Sequence, residues 1–266
     1  MLPNFLVIGA PRAGTTYIYQ NISSHPEIFL PTPKELHFFD RHYEKGIEYY
    51  EDFFKNAADY KAIGEATPAY LHTKCVAERI KQNLNNIKFI VCLRNPVDRL
   101  YSEFWNVKAK FTENKDISFE EKIRLKPEFI EEGFYDEHLE RYFSMFPKEN
   151  FLILFFDEIV KNPANFLKKI YTFLEVDPNF ISPLSKEQIN AADSKKHLSK
   201  NLYLYYAQRI LFKAGLVKLS HNLAAKNKSK IPKMLPETRK WLAEQIYFDH
   251  NRNLEKLLNI DLSHWV

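Results

Sequence analysis

Glycine is scarce in this sequence: 6 of 266 residues, against the roughly 19 that an average usage of about 7% would supply. Each one merits locating, and Gly9 and Gly14 share one short N-terminal stretch. Cysteine is scarcer still. Cys75 and Cys92 alone make neither a disulfide framework nor a zinc site, and Cys92, inside an apolar run, reads as a small core residue. No apolar run approaches the ~18 residues of a membrane-spanning helix. Mean hydropathy is -0.41, and Met1-Leu2-Pro3-Asn4 lacks the basic-then-apolar layout of a signal peptide. These absences predict a soluble, cytoplasmic protein whose thiols stay reduced. Net charge is only +4, which suits an anionic ligand but is too mild to argue for nucleic acid.

What is present describes a globular chain. At 45% hydrophobic and 27% charged residues, disorder is excluded and one domain spanning 1–266 is expected. Phe5-Leu6-Val7-Ile8, bounded by Gly9, reads as a buried strand, with a helix from Thr15. Further strands are expected at 61–63, 88–93 and 151–156, with helices around 75–82, 135–146 and 163–174. Asn95 suits an N-cap and Pro96 a first helical residue. Strands alternating with helices predict an α/β fold with a central, mainly parallel sheet flanked by helices. From about residue 178 the pattern becomes helices joined by lysine-rich connections such as 226–230, closing with a helix over 237–258. This helical C-terminal third reads as cover on the same domain. No repeat or low-complexity tract interrupts it.

Strand one runs into Gly9-Ala10-Pro11-Arg12-Ala13-Gly14-Thr15-Thr16 and then a helix. That is the context of a phosphate cradle, where loop amides and a helix N-terminus converge on one anion. The glycine spacing matches the Walker A pattern, but Thr15 stands where that pattern has lysine, and the cation moves to Arg12. A plain tight turn is the competing reading. A second constellation, Arg94 through Ser102, starts at the carboxyl end of a strand, where ligands of such sheets bind. Arg94 and Ser102 suit a second phosphate, whereas Asp98 and Arg99 read equally as solvated helix-surface charges.

These two segments resemble the 5′-phosphosulfate loop and the 3′-phosphate motif of sulfotransferases that use 3′-phosphoadenosine 5′-phosphosulfate. Lys34-Glu35-Leu36-His37-Phe38-Phe39-Asp40 is similar to the general-base segment of heparan sulfate glucosaminyl 3-O-sulfotransferases and bacterial relatives. Gly64-Glu65-Ala66-Thr67-Pro68-Ala69-Tyr70, Gly133-Phe134-Tyr135, His138-Leu139, the 155–159 segment and Leu262 to Trp265 match further segments in order. The resemblance implies the three-layer P-loop fold of that family. It also implies a 5′-phosphate site around Arg12, Ala13, Gly14, Thr15 and Thr16, and a 3′-phosphate site at Arg94 and Ser102. Catalytic roles fall to Glu35 as base, His37 as a donor to the transferring sulfuryl group, and Arg12 on the leaving oxygen. Without the resemblance, Glu35 reads more simply as a surface charge after the Pro31-Thr32-Pro33 turn, and His37 as a ring packed on Phe38 and Phe39.

One departure stands out: the 3-O-sulfotransferases carry lysine where this chain has Ala66, a charge that Lys34 would have to replace. The expected reaction is sulfuryl transfer to an acceptor hydroxyl, of a carbohydrate foremost, with no metal. Residues 108–132 are expected to help form a groove for a sugar or lipid-like acceptor. Two alternatives remain. A nucleotide kinase or NTPase would use Phe151 to Phe156 with Asp157 as a Walker B strand. A non-catalytic protein binding anionic glycans would use Lys195, Lys196 and the lysines of 226–233. A metal cluster of His37, Asp40 and His42 is weaker than a structural role for the same residues. Gly14 is expected to serve the donor more than the fold.

Overall fold

The apolar runs become one five-stranded sheet in the computed structural model, which describes residues 1–110, 117–184, 197–199, 219 and 228–265. Its strands are β1 (Phe5–Gly9), β2 (Ile28–Phe29), β3 (Ala62–Ala66), β4 (Lys88–Leu93) and β5 (Phe151–Phe155), in the order β2-β3-β1-β4-β5. Every neighbouring pair is parallel. Side chains alternate across the sheet, as extended backbone requires. Leu6, Ile8, Phe89, Val91 and Leu93 enter the core on one face, and Phe5, Val7, Ile90 and Cys92 the core on the other. Both faces are covered, so these strands read as continuous apolar runs.

Helix α1 (Thr15–Ile22) follows β1, and the short α2 (Phe38–Arg41) and α3 (Ile47–Glu51) precede β3. Next come α4 (Val76–Asn83), α5 (Pro96–Lys110), α6 (Phe119–Leu125), α7 (Glu128–Glu131), α8 (Tyr135–Phe143), α9 (Phe156–Lys161) and α10 (Pro163–Phe173). Asn95 caps α5 as expected, its Oδ1 accepting the Val97 amide at 3.0 Å. Its Nδ2 donates to the Trp265 carbonyl at 3.0 Å, tying the chain's last turn to the end of β4. The topology reverses at β1, with β3 on one side and β4 on the other, so loops after β1 and β4 open onto the sheet's ligand-binding crevice.

The departures are local. The β2 strand was not expected. The closing helix is two, Pro236–Trp241 and Phe248–Leu258, joined by a π-helical turn over Leu242–Ile246. Lys228–Lys230, expected in a connection, pairs antiparallel with His197–Ser199. Lys195, Lys196, Lys226 and most of 185–227 lie outside the described residues. Phe156 begins α9 instead of ending β5, so Asp157 sits in a helical first turn with its side chain 52% exposed. Among the described residues no helix is long and apolar enough to cross a membrane. Packing already requires glycine at two positions: a Cβ at Gly9 would lie 2.6 Å from Leu71, and one at Gly64 2.5 Å from the Phe5 ring.

Candidate active site

The loop after β1 delivers α1 with its N-terminus bare. Gly14 occupies the N-cap at φ 92, and the first turn carries no acidic residue. The positive end of the helix therefore meets no built-in counter-charge. Thr15 is buried and Thr16 exposed. Gly14 is also wedged against α9, where a Cβ would lie 2.6 Å from Ile159 Cδ1. Replacing it burdens the fold as well as the loop, so packing is a second reason for glycine beside the expected service to the donor.

Arg12 is itself left-handed, at φ 66. Its Nε donates to Ser102 Oγ at 3.2 Å and lies 3.7 Å from Glu103 Oε2. Arg94, just past β4, donates to the Arg12 carbonyl at 3.2 Å and stacks its guanidinium 4.7 Å above the Phe156 ring. Arg12, Arg94 and Ser102 thus converge at the ends of β1 and β4, and Ser102 touches Arg12, not Arg94. Burial lowers the pKa of both arginines, yet a guanidinium remains charged at any physiological pH. Among the carboxylates that oppose this effect on Arg12 are Glu103 and Glu35. Arg99 is not a solvated surface charge. Its side chain is fully buried, donating to Glu132 Oε2 at 2.8 Å and to the Phe129 carbonyl at 2.6 Å.

The second group of residues lies between β2 and α2. Glu35 and His37 both adopt left-handed backbone, φ 66 and 52. Lys34 Nζ donates to Glu35 Oε1 at 2.5 Å, and Glu35 Oε2 lies 3.8 Å from His37 Nε2. Sequence reasoning gave Asp40 no role beside Glu35. Its Oδ2 accepts from His37 Nδ1 at 2.8 Å, which directs Nε2 toward Glu35. Burial disfavours the Asp40 carboxylate, but its bond to His37 and the charges of His37 and Arg41 outweigh that and hold its pKa below the usual range. The His-x-x-Asp spacing at the start of a helix was the signal available for it. Among the described residues no group of three or more His, Cys, Asp or Glu is arranged to hold a metal ion. In the segment expected to form an acceptor groove, Phe119 packs on Tyr101 and Phe104 at 5.0 and 5.4 Å.

The arrangement can hold an anion at the α1 N-terminus, present two guanidinium groups beside it, and offer the Glu35 carboxylate within electrostatic reach of Arg12. Known proteins match this chain along most of its length. A family model for the sulfotransferase domain matches residues 2–218. Heparan sulfate glucosamine 3-O-sulfotransferase 5 of Mus musculus is 31% identical over 189 residues, covering 66% of this chain and 54% of that protein. Bifunctional heparan sulfate N-deacetylase/N-sulfotransferase 4 of Mus musculus is 30% identical over 97% of this chain and 30% of its own length. This chain thus spans about half the length of the 3-O-sulfotransferase it matches. In structure, a sulfotransferase from Alicyclobacillus acidocaldarius superposes with a TM-score of 0.76 at 22% identity, covering 100% of this chain and 99% of the other. The same parallel sheet with helices on both faces is thereby shared, and the chain belongs to the sulfotransferase family.

Proposed function

We propose that this protein transfers a sulfuryl group from 3′-phosphoadenosine 5′-phosphosulfate to an acceptor hydroxyl, with Glu35 as general base. The observation that carries the reading is the bare N-terminus of α1 with Arg12 and Arg94 converging beside it and Glu35 acting electrostatically on Arg12. The residues fit the donor's two anionic ends. Loop amides from Arg12 to Thr16 and the two threonine hydroxyls suit the 5′-phosphate, while Arg94 and Ser102 suit the 3′-phosphate.

Glu35 takes the acceptor proton as the acceptor oxygen bonds to sulfur and the sulfur–oxygen bond to the 5′-phosphate breaks. Arg12 stabilises the negative charge left on that phosphate oxygen, in a geometry that Ser102 and Glu103 hold in advance. With Nδ1 committed to Asp40, His37 turns Nε2 toward Glu35 and the transferring sulfuryl group. Lys34 supplies an ammonium beside the base where the lysine of the 3-O-sulfotransferases is replaced by Ala66.

The relatives named for heparan sulfate favour a carbohydrate acceptor. Two free cysteines, one exposed, support a reducing, cytoplasmic setting, which fractionation of the tagged full-length chain tests. For the activity itself, donor labelled in its sulfuryl group is offered with panels of glycans, phenols and aliphatic alcohols, with and without EDTA. Label moving to a glycan hydroxyl and persisting in EDTA is expected. Label moving to none of them, together with stabilisation by ATP and magnesium but not by adenosine 3′,5′-bisphosphate, would overturn the reading in favour of a nucleotide kinase.

A further inference from the structure

Glu65 has no part in the chemistry above, yet it is among the most confined charges in the molecule. It lies in β3, is 1% exposed, and makes no ion pair among the described residues. A carboxylate in such a place needs several hydrogen-bond donors, and it has them. Oε1 accepts from the Tyr50 and Tyr70 hydroxyls, both at 2.8 Å, and Oε2 from the Thr67 hydroxyl at 2.6 Å. The Leu36 amide also donates to it. Burial raises its pKa, and these donors oppose that rise.

The direction of these bonds has a consequence at the base turn. A hydroxyl has one hydrogen, so Thr67 and Tyr70, having given theirs to Glu65, turn lone pairs outward. Those lone pairs meet backbone amides: Thr67 Oγ1 accepts from His37 N at 3.4 Å, and Tyr70 Oη from Phe38 N at 2.9 Å and Phe39 N at 3.2 Å. The Glu35 amide donates to the Ala66 carbonyl at 3.1 Å. Five successive amides, 35 to 39, are therefore taken up by the end of β3, directly or through hydroxyls that Glu65 orients. Within that run sit Glu35 and His37, in a left-handed conformation that L residues rarely adopt. Such backbone persists only where its surroundings over-determine it.

The geometry points to Glu65 as a positioning residue: through Leu36, Thr67 and Tyr70 it holds the left-handed turn that aims Glu35 and His37 at the acceptor. This rests on the proposed role of Glu35. Two variants test it. Glu65→Gln replaces one acceptor oxygen by a donor, and Thr67→Val keeps volume but removes the relay hydroxyl. Expected are losses in kcat of about 100-fold and about 10-fold, since misplacing a reacting group by ~1 Å costs on that scale. The affinity for adenosine 3′,5′-bisphosphate should stay within about twofold, and Thr67→Ser should restore most of the rate.

Residue-resolved hydrogen exchange gives a readout independent of turnover. In Thr67→Val, amide 37 should exchange roughly tenfold faster while those of β4 and α10 keep their rates, as for the loss of one net hydrogen bond. Unchanged kcat, or a parallel loss of turnover, bisphosphate affinity and exchange protection throughout the molecule, overturns the inference. Should the wild-type protein transfer no label, the proposed activity fails, and the exchange pattern alone decides whether Glu65 holds the turn.

Discussion

The donor loop and the base turn are built alike in backbone and opposite in charge. Each places non-glycine residues in left-handed conformation beside the end of a strand: Arg12 in one, Glu35 and His37 in the other. The base turn neutralises itself, with Lys34 on Glu35 and Asp40 on both His37 and Arg41. The donor side does not. Its helix end carries no acid, and among the described residues Arg94 makes no ion pair and Arg12 pairs with Glu103 alone, at 3.7 Å. Positive charge left uncompensated in a crevice suits an incoming dianion, whereas a pre-paired carboxylate and imidazole suit taking the proton from a hydroxyl that brings no charge of its own.

If that division is right, the two sides can be broken separately. The largest effect falls on the base turn: Glu35→Gln should lower kcat by about 10²–10⁴-fold, the range expected for loss of a general base. Adenosine 3′,5′-bisphosphate should bind within about threefold of wild type by calorimetry. A variant that loses binding as steeply as turnover would show that the carboxylate shapes the donor site instead.

Acid sets the limits within which the comparison holds. Burial pushes the His72 imidazole down to about 4 and that of His138 down to about 3. Unfolded histidines take up protons below about 6.5, while these two stay neutral in the folded chain until far lower pH. Between those values the unfolded state binds more protons, so stability drops as pH falls. Each ring contributes a slope of up to about 1.4 kcal/mol per pH unit. Urea melts from pH 7 to 4 should show it, and His138→Gln, whose amide can still donate to the Glu131 carbonyl that Nε2 now reaches at 3.0 Å, should flatten it. A slope unchanged by that substitution would place the acid sensitivity elsewhere.

On the donor side, Arg94→Ala should weaken bisphosphate binding by about 30-fold, the scale of a lost charged hydrogen bond. Turnover at saturating donor should change far less. Equal losses in both would mean that Arg94 acts on the transition state as well.

The two sides also differ in how plainly the chain announces them. The loop after β1 is continuous in sequence, and its flanking strand and the Asn95 cap of α5 each have a local physical cause, so the order strand, loop, helix is legible by inspection. The base turn is legible only as a resemblance. What holds it, Glu65 with Thr67 and Tyr70, comes from β3 and the turn after it, about 30 residues later, and no periodicity reports which hydroxyl faces which amide. Arg99 was open to misreading for the same reason, since its partner Glu132 is 33 residues away, just past the end of α7. The two-residue β2 is too short to carry an alternation.

Ser102 is where the comparison is finest. It was expected on the 3′-phosphate with Arg94, but its hydroxyl accepts from Arg12, the residue assigned to the leaving oxygen. Ser102→Ala separates the two roles. If the hydroxyl binds phosphate, bisphosphate affinity should fall by about tenfold or more, the effect of one hydrogen bond to a charged group, while kcat moves less than twofold because Glu103 still steers Arg12. That is the outcome expected here. The reverse split, with binding intact and kcat reduced, would show that Ser102 serves the chemistry through Arg12, and the two phosphate sites would then share less than their closeness suggests.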